Sequence, residues 1–325
     1  MNIIEVQDLT KKYGKLVAVD DISFHVVKGE IFGFLGPNGA GKTTTISILC
    51  TLLKPSGGKA MLCGHDVLTQ RNQVRRCIGL VFQEPTLDEY LTAEQNLRFH
   101  AYAYRVPAEQ REKRISEVLA LVDLEDRRKN RVRTFSGGMK RRLEIARGLL
   151  HSPRVLFLDE PTLGLDPQTR RLIWDFILKL RKNQSLTIFL TTHYMDEAEN
   201  CDRISVIDHG HIIALDTPEK LKDSLGGDVV TLLAADNQTA VVELKEKFGI
   251  SAKIQEGHIV FSVPQGETFL AKLVQEFKSP LKSVGIHRPT LDDVFLSLTG
   301  RAIRDTELSE KDQMKQMMAL RRGGR

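Results

Sequence analysis

Ile31-Phe-Gly-Phe-Leu35, then Gly36-Pro-Asn-Gly-Ala-Gly-Lys-Thr43, then Thr44-Thr-Ile-Ser-Ile-Leu-Cys-Thr-Leu-Leu53 read as an apolar strand, a glycine-rich loop and a helical pattern, in that order. The loop fits G-x-x-x-x-G-K-[ST] over Gly36, Pro37, Asn38, Gly39, Ala40, Gly41, Lys42 and Thr43. Its glycines let backbone N–H groups turn toward a phosphate without side-chain interference. Lys42 offers a point charge to β- and γ-phosphates, and Thr43 offers a hydroxyl to Mg2+. The helix beginning near Lys42 adds the positive end of its dipole. A strand before and a helix after are the context that separates this motif from a chance glycine turn.

Working outward, short apolar runs alternate with amphipathic segments up to about Thr217, the pattern of parallel strands joined by helical crossovers. Buried strands are expected at Ile31–Leu35, Ile78–Phe82, Val155–Leu158 and Thr187–Thr191. The fold class is therefore α/β. Between residues 84 and 135 the periodicity turns helical, with helices over Thr92–Arg105 and Ala108–Val122, so a helical insert interrupts the core. A first domain spans 1–225. After Gly226-Gly227 a small α/β module over 226–300 reads as strand Val229–Ala234, helix Thr239–Phe248, strand Ala252–Gln255, strand His258–Val263, helix Glu267–Glu276 and strand Leu281–Ile286. That βαββαβ order suits a ferredoxin-like arrangement. A short helix follows, carrying Leu291, Val294, Phe295 and Leu298 at i, i+3, i+4 and i+7 as a docking face, on this chain's own fold or across a dimer. Residues 301–325 read as a flexible or loosely helical tail.

Val155-Leu-Phe-Leu-Asp159-Glu160 is an apolar strand ending in two carboxylates. Asp159, at the strand's C-terminal end, suits Mg2+ held through water, and Glu160 suits polarisation of an attacking water. Ser136-Gly137-Gly138-Met139 precedes the helical run KRRLEIARGLL, so Ser136, Gly137 and Gly138 form a second anion nest at a helix N-terminus. Alone, this tetrapeptide would read as an ordinary N-cap.

Taken in order, these elements over roughly residues 3–217 resemble the ATP-binding cassette (ABC) ATPases. The resemblance implies ATP and Mg2+ as cofactors, held along Gly36–Thr43 and Thr44, with Thr43, Gln83 and Asp159 at the metal. It casts Tyr13 as the aromatic stacked on adenine and Gln83 as the link between the γ-phosphate site and a membrane partner. Glu160, Gln83 and His193 become the catalytic set, His193 being similar to the family's switch histidine. Gly164-Leu-Asp166 resembles the loop that joins two active sites, and the Ser136 nest resembles the signature that closes over a partner copy's ATP. Phe135 stands where Leu is usual, Met139 where Gln is usual, and Leu163 replaces a small polar residue. Pro289-Thr-Leu-Asp-Asp-Val-Phe-Leu-Ser-Leu-Thr-Gly300 resembles the C-terminal signature of the daunorubicin-type drug-resistance ATPases. This implies a homodimeric ATPase subunit of an exporter, working with a separately encoded membrane permease on a drug-like, lipid or glycan substrate.

Composition narrows the rest. Hydrophobic residues make up 41% and charged residues 27% of 325, a globular balance with room for a sizeable core. The net charge of +5 favours an anionic surface without choosing lipid over nucleic acid. Four cysteines at 50, 63, 77 and 201 make no metal-ligand spacing and read as thiols in a reducing compartment. No secretory signal and no run approaching ~20 apolar residues is legible. The chain is therefore expected to be cytoplasmic, peripheral on the membrane through the permease. The basic cluster Arg127-Arg-Lys129, Arg131, Arg133 and Lys140-Arg-Arg142 lacks interleaved aromatics, so no nucleic acid is expected and a solvated face, or a surface near phosphates and lipid headgroups, is the simpler account. The run Glu84–Tyr90 beside Gln83 offers Leu87, Tyr90 and Leu91 as an exposed membrane-partner contact. The competing class is a soluble ABC ATPase acting on nucleic acid or ribosomes; a single cassette and a short insert weigh against it. A third class, a nucleotide sensor without turnover, is opposed by intact Glu160 and His193.

Overall fold

Two long strands, β1 (Asn2–Tyr13) and β2 (Leu16–Val27), open the chain as an antiparallel pair. Next come β3 (Ile31–Leu35), α1 (Lys42–Leu49), β4 (Gly57–Leu62), β5 (His65–Asp66), α2 (Arg71–Cys77) and β6 (Ile78–Val81). The insert supplies α3 (Ala93–Ala103) and α4 (Ala108–Leu121). The chain then returns through α5 (Gly137–Leu149), β7 (Val155–Asp159), α6 (Pro167–Gln184), β8 (Thr187–Thr192), α7 (Met195–Ala198), β9 (Arg203–Asp208) and β10 (His211–Asp216). This computed structural model describes residues 1–184, 186–255 and 257–300, so the tail read at 301–325 lies outside the described residues. It divides into two compact units, the first being Met1–Leu215 and the second beginning at Asp216.

Six strands form the central sheet in the order β10-β9-β3-β8-β7-β6. β3, β6, β7, β8 and β9 pair in parallel, and β3 and β7 are buried at every residue. Continuous burial is what a parallel strand covered on both faces requires, which is why these runs are apolar without alternation. A second sheet, β2-β1-β4-β5, is antiparallel. Phe24 of β2 stacks on Phe32 of β3 with ring centroids 5.6 Å apart. Phe189 of β8 then touches Phe32, Phe34 and Phe157 at 5.3–5.6 Å. These five rings lock the two sheets together and fix the strands whose ends carry the site. In register, Asp159 pairs with Thr191 and Leu35 with Thr192, so three loops leave the same carboxyl edge.

Arginines tie the insert together, Arg128 with the most partners. Arg128 reaches Glu94 of α3 at 2.9 Å, Ser116 and Glu112 of α4 at 2.8 and 3.1 Å, and Glu125 at 3.3 Å. Arg142 donates to the Val122 carbonyl, and Lys140 pairs with Glu89. The basic cluster is thus not a plain solvated face, because several of its charges are spent inside the fold.

The second unit contains α8 (Pro218–Asp223), β11 (Asp228–Ala234), α9 (Asn237–Phe248), β12 (Lys253–Gln255), β13 (His258–Val263), α10 (Gly266–Glu276), β14 (Leu281–His287) and α11 (Leu291–Thr299). Its sheet runs β12-β13-β11-β14, every neighbour antiparallel, which is the ferredoxin-like order. Val230, Leu232, Ile259 and Phe261 meet Ala240, Leu244 and Leu273 of the helices in one core. α11 packs on α8 within this unit. Leu291, Val294 and Phe295 are buried, but Leu298 is 48% exposed. The apolar stripe is therefore covered over three of its four positions.

Glu243 of α9 joins the α10–β14 connection to its helix. It accepts from the amides of Lys278 and Ser279 at 2.8 and 2.9 Å, from the Ser279 hydroxyl at 2.7 Å and from Lys247 at 2.6 Å. Burial nudges the carboxyl up, but these donors outweigh it and hold the pKa at about 2 against an ordinary 4.5. A depressed acid contributes stability above its unfolded pKa and loses it as pH falls through the folded one. After allowance for solvent screening, ~1–2 kcal/mol is expected. Glu243→Gln should lower the second unit's stability by that amount at pH 7 and flatten its pH dependence between 4.5 and about 2. Hydrogen exchange at the Lys278 and Ser279 amides measures it; unchanged protection in the variant would remove the role.

Candidate functional site

The glycine-rich loop leaves β3 and threads between backbones with no room for side chains. A Cβ on Gly36 would lie 2.2 Å from the Ile207 carbonyl oxygen. Gly41 adopts φ +107°, and a Cβ there would lie 2.5 Å from the Ala18 carbonyl oxygen. Lys42, only 4% exposed, folds back so that Nζ donates to the carbonyls of Gly36 at 2.7 Å and Pro37 at 2.9 Å. Thr43, one residue on at the head of α1, donates its Oγ1 to Asp159 Oδ1 at 3.4 Å.

Asp159 closes β7, where Thr191 Oγ1 donates to its Oδ1 at 2.5 Å. The same hydroxyl accepts from the Glu160 amide at 3.0 Å, so one threonine orients both acids. Glu160 turns out of the strand with φ +45°, a left-handed conformation costly for a side chain with a Cβ. Its carboxylate is 7% exposed and collects three predicted partners. Lys42 Nζ and His193 Nδ1 each lie 3.4 Å from Oε1, and Gln83 Nε2 donates to Oε2 at 3.4 Å. Burial pushes the Glu160 carboxyl up, but the His193 hydrogen bond and the Lys42 charge prevail, leaving it below the usual range. Asp159 goes the other way: burial raises it despite the hydroxyls of Thr191 and Thr43. The adjacent acids are thereby split, Glu160 ionised beside three side-chain nitrogens and Asp159 held among hydroxyls.

Tyr13, the Ser136 nest and Asp166 have other neighbours. The Lys11 ammonium lies 5.0 Å from the Tyr13 ring centroid. Ser136 caps α5, its hydroxyl accepting from the Met139 amide at 3.3 Å, and Ser136 and Gly137 are exposed. Asp166 caps α6 through the Thr169 hydroxyl at 2.6 Å and amide at 3.0 Å, contacts that lower its pKa. In the loop after Gln83, Tyr90 is 76% exposed, whereas Leu87 and Leu91 are half-buried, so that surface is narrower than the sequence implied.

Three buried polar residues escaped the sequence reading. Thr191 read only as a strand residue, Arg141 only as part of a basic cluster, and Glu197 had no reading at all. Glu197 accepts from Thr192 Oγ1 at 2.8 Å and from the Thr162 hydroxyl, joining the segment after His193 to the segment after Glu160. A strand ending Thr-Thr-His was the available signal for the first; the other two had none. Among the described residues no group of three His, Cys, Asp or Glu side chains is set to hold a metal. Thr43 and Asp159 form instead a hydroxyl–carboxylate pair, the hard oxygen set that suits Mg2+ when phosphate and water complete its shell.

Residues 19–163 match the family model described as ABC transporter. The chain is 41% identical over 305 residues to a daunorubicin resistance ATP-binding protein of Streptomyces coeruleorubidus, covering 91% of this chain and 96% of that one. It is 39% identical over 312 residues to a Nod factor export ATP-binding protein of Ralstonia nicotianae, covering 93% and 95%. Among solved structures, a dimeric ATP-binding cassette in a post-hydrolysis state bound to ADP and Pi matches with TM-score 0.59 and 29% identity, over 66% of this chain and 98% of that one. With the glycine-rich loop, paired acids and Ser136 nest arranged as described, the chain belongs to the ABC transporter ATP-binding proteins and is an ATPase.

Proposed function

We propose that this chain is the ATP-hydrolysing subunit of an exporter, acting as a homodimer on a separately encoded membrane subunit. The convergence of Lys42, Gln83 and His193 on Glu160 carries the reading. Lys42 and the amides of Gly36–Thr43 hold the β- and γ-phosphates, Thr44 extends the cradle, and Tyr13 stacks on adenine. Thr43, Asp159 and Gln83 hold Mg2+, which when bound neutralises charge on the phosphates. Glu160 takes the proton of the attacking water, and His193 orients the γ-phosphate end of the site. The head of α5, where Ser136 and Gly137 are exposed, suits a second copy's phosphate, with Asp166 at the joint between copies. ATP then favours the closed pair and hydrolysis releases it.

No helix among the described residues is long and apolar enough to cross a membrane, so transport needs a membrane partner. A cavity of about 850 Å3, lined by Leu52, Arg75, Phe82, His100, Tyr104 and Arg105, suits an inserted partner helix. Burial, helped by the Arg147 charge, lowers His100 to about 4, so its ring enters that contact uncharged at neutral pH. Phe99 and Tyr102 are 65% and 57% exposed on the same helix, α3. The relatives' names, one for daunorubicin resistance and one for Nod factor export, support an exported cargo; the reading takes it as drug-like, lipid or glycan and sets the chain peripherally on the cytoplasmic face. Internal pairing of Arg128 and Arg142 leaves the nucleic-acid alternative with less basic surface than the sequence offered.

The test is purification from membranes with cysteines introduced at Arg105 and at Tyr90. Efficient crosslinking of Arg105→Cys to a co-purifying multi-span protein is expected, with transport lost in a Phe82→Asp, Arg105→Asp variant that still binds ATP. A chain that purifies from membranes without any multi-span partner would overturn the proposal.

A further inference from the structure

The surface of α5 that faces the sheet carries three charged residues spaced i, i+3 and i+6. Arg141, Glu144 and Arg147 are 7%, 1% and 4% exposed. Charged side chains are seldom fully buried unless paired, and these are paired mainly with loops. Arg141 Nε donates to the Pro161 carbonyl at 2.7 Å, and Nη2 donates to the carbonyls of Asp159 at 2.9 Å and Glu160 at 3.1 Å. Its Nη1 donates to the Phe82 carbonyl at 2.5 Å and to Glu144 Oε2 at 3.1 Å. Glu144 Oε1 accepts from the Thr86 amide at 2.7 Å and hydroxyl at 3.2 Å. Arg147 donates to that hydroxyl and, at 3.4 Å, to the Leu80 carbonyl.

One guanidinium therefore spans two segments distant in sequence. The first holds Glu160, whose left-handed backbone is a strained state that surrounding contacts must maintain. The second, Phe82 to Thr86, contains Gln83, whose amide meets Glu160 Oε2. A planar fork with five donors can gather four carbonyls; a lysine ammonium cannot. α5 also begins at the exposed Ser136 nest, with Arg141 five residues on, ~7.5 Å along the axis.

We propose that Arg141 is a positioning residue for ATP hydrolysis, fixing the backbone of Glu160 and of Gln83 in one frame and linking both to the Ser136 nest through α5. The inference rests on Glu160 acting as general base. A helix whose N-terminus is engaged by a second copy's phosphate then bears directly on the main chain that carries this copy's own base. Arg141 acts through four carbonyls and Glu144.

The experiment measures kcat, KM and ATP affinity of the dimer for Arg141→Met, Arg141→Lys and the neutral pair Arg141→Gln with Glu144→Gln, each also in a Glu160→Gln background. The neutral pair avoids leaving Glu144 buried without its cation, so a folded variant is available if Arg141→Met fails to fold. Expected is a fall of about 10–100-fold in kcat for Arg141→Met and for the neutral pair, with ATP affinity held. Arg141→Lys, which keeps the charge beside Glu144, should recover part of the rate. In the Glu160→Gln background Arg141→Met should cost little more, because residues acting as a unit are not additive. Wild-type kcat in the neutral pair, or an equal loss of ATP binding and turnover, would overturn the positioning role. So would a full additional loss on top of Glu160→Gln. High activity in Glu160→Gln alone would instead remove the general-base reading, a distinguishable result.

Discussion

Glu160→Gln should nearly abolish turnover while leaving ATP bound. Glutamine keeps the shape and can still meet Gln83 and His193, but it cannot accept the proton of an attacking water. A positioned general base contributes roughly 10²–10⁴-fold, and a loss in that range is expected. Lys42, the Gly36–Thr43 amides and the Thr43–Asp159 pair are untouched, so nucleotide affinity should persist. Without hydrolysis to release it, the ATP-bound pair should elute as a dimer on size exclusion, where wild type with ATP returns to monomer. Because Glu160 sits below the usual carboxylate range, wild type retains this base in its active form from neutral pH down toward 4.5. A variant hydrolysing at more than about a tenth of the wild-type rate would show that another group takes the proton.

Lys42→Ala should fail earlier, at binding. The ammonium is held by two carbonyls and lies beside Glu160, so it is already oriented where phosphate oxygens would meet it. A hydrogen bond to a charged group is worth about 1.5–3 kcal/mol, a loss of about 10–150-fold in ATP affinity. Alanine also removes the charge that Lys42 would bring to the phosphates as the γ-phosphoryl group is transferred, where electrostatic stabilisation counts most. Turnover should therefore fall further than affinity alone predicts. Equilibrium binding of a fluorescent ATP analogue, read beside phosphate release, separates the two effects. Wild-type affinity in Lys42→Ala would mean that the loop amides alone carry the phosphates.

Much of this site is legible in one dimension because its parts are local. Gly36 to Thr43 must be contiguous to curl around a phosphate, and no residue but glycine fits beside Ile207 and Ala18. Asp159 and Glu160 follow a strand buried at every position, so their place at its carboxyl end follows from the apolar run. The βαββαβ module is equally local, each strand and helix announced by its own period, with Asp236 capping α9 three residues before the expected start.

Arg141 marks the limit of that reading. In sequence it stands between Lys140 and Arg142 in a basic run, and the three share a residue class. The helix turns about 100° per residue, so Arg141 faces the sheet while Lys140 and Arg142 reach the insert's surface groups. Nothing local says that the carbonyls of residues 82 and 159–161 await it.

By itself the sequence determined the α/β class, the phosphate loop, the order of the motifs and the module's topology, since periodicity and steric demand act over neighbouring residues. The tertiary structure alone decided that β8 lies between β3 and β7, which brings His193 and Lys42 to the same oxygen of Glu160. It alone gave Glu160 its left-handed turn and Arg141 its four carbonyls. The reason is physical: burial period tells a strand that it has neighbours, but parallel crossovers permit several neighbour orders, and only packing of the whole sheet selects one.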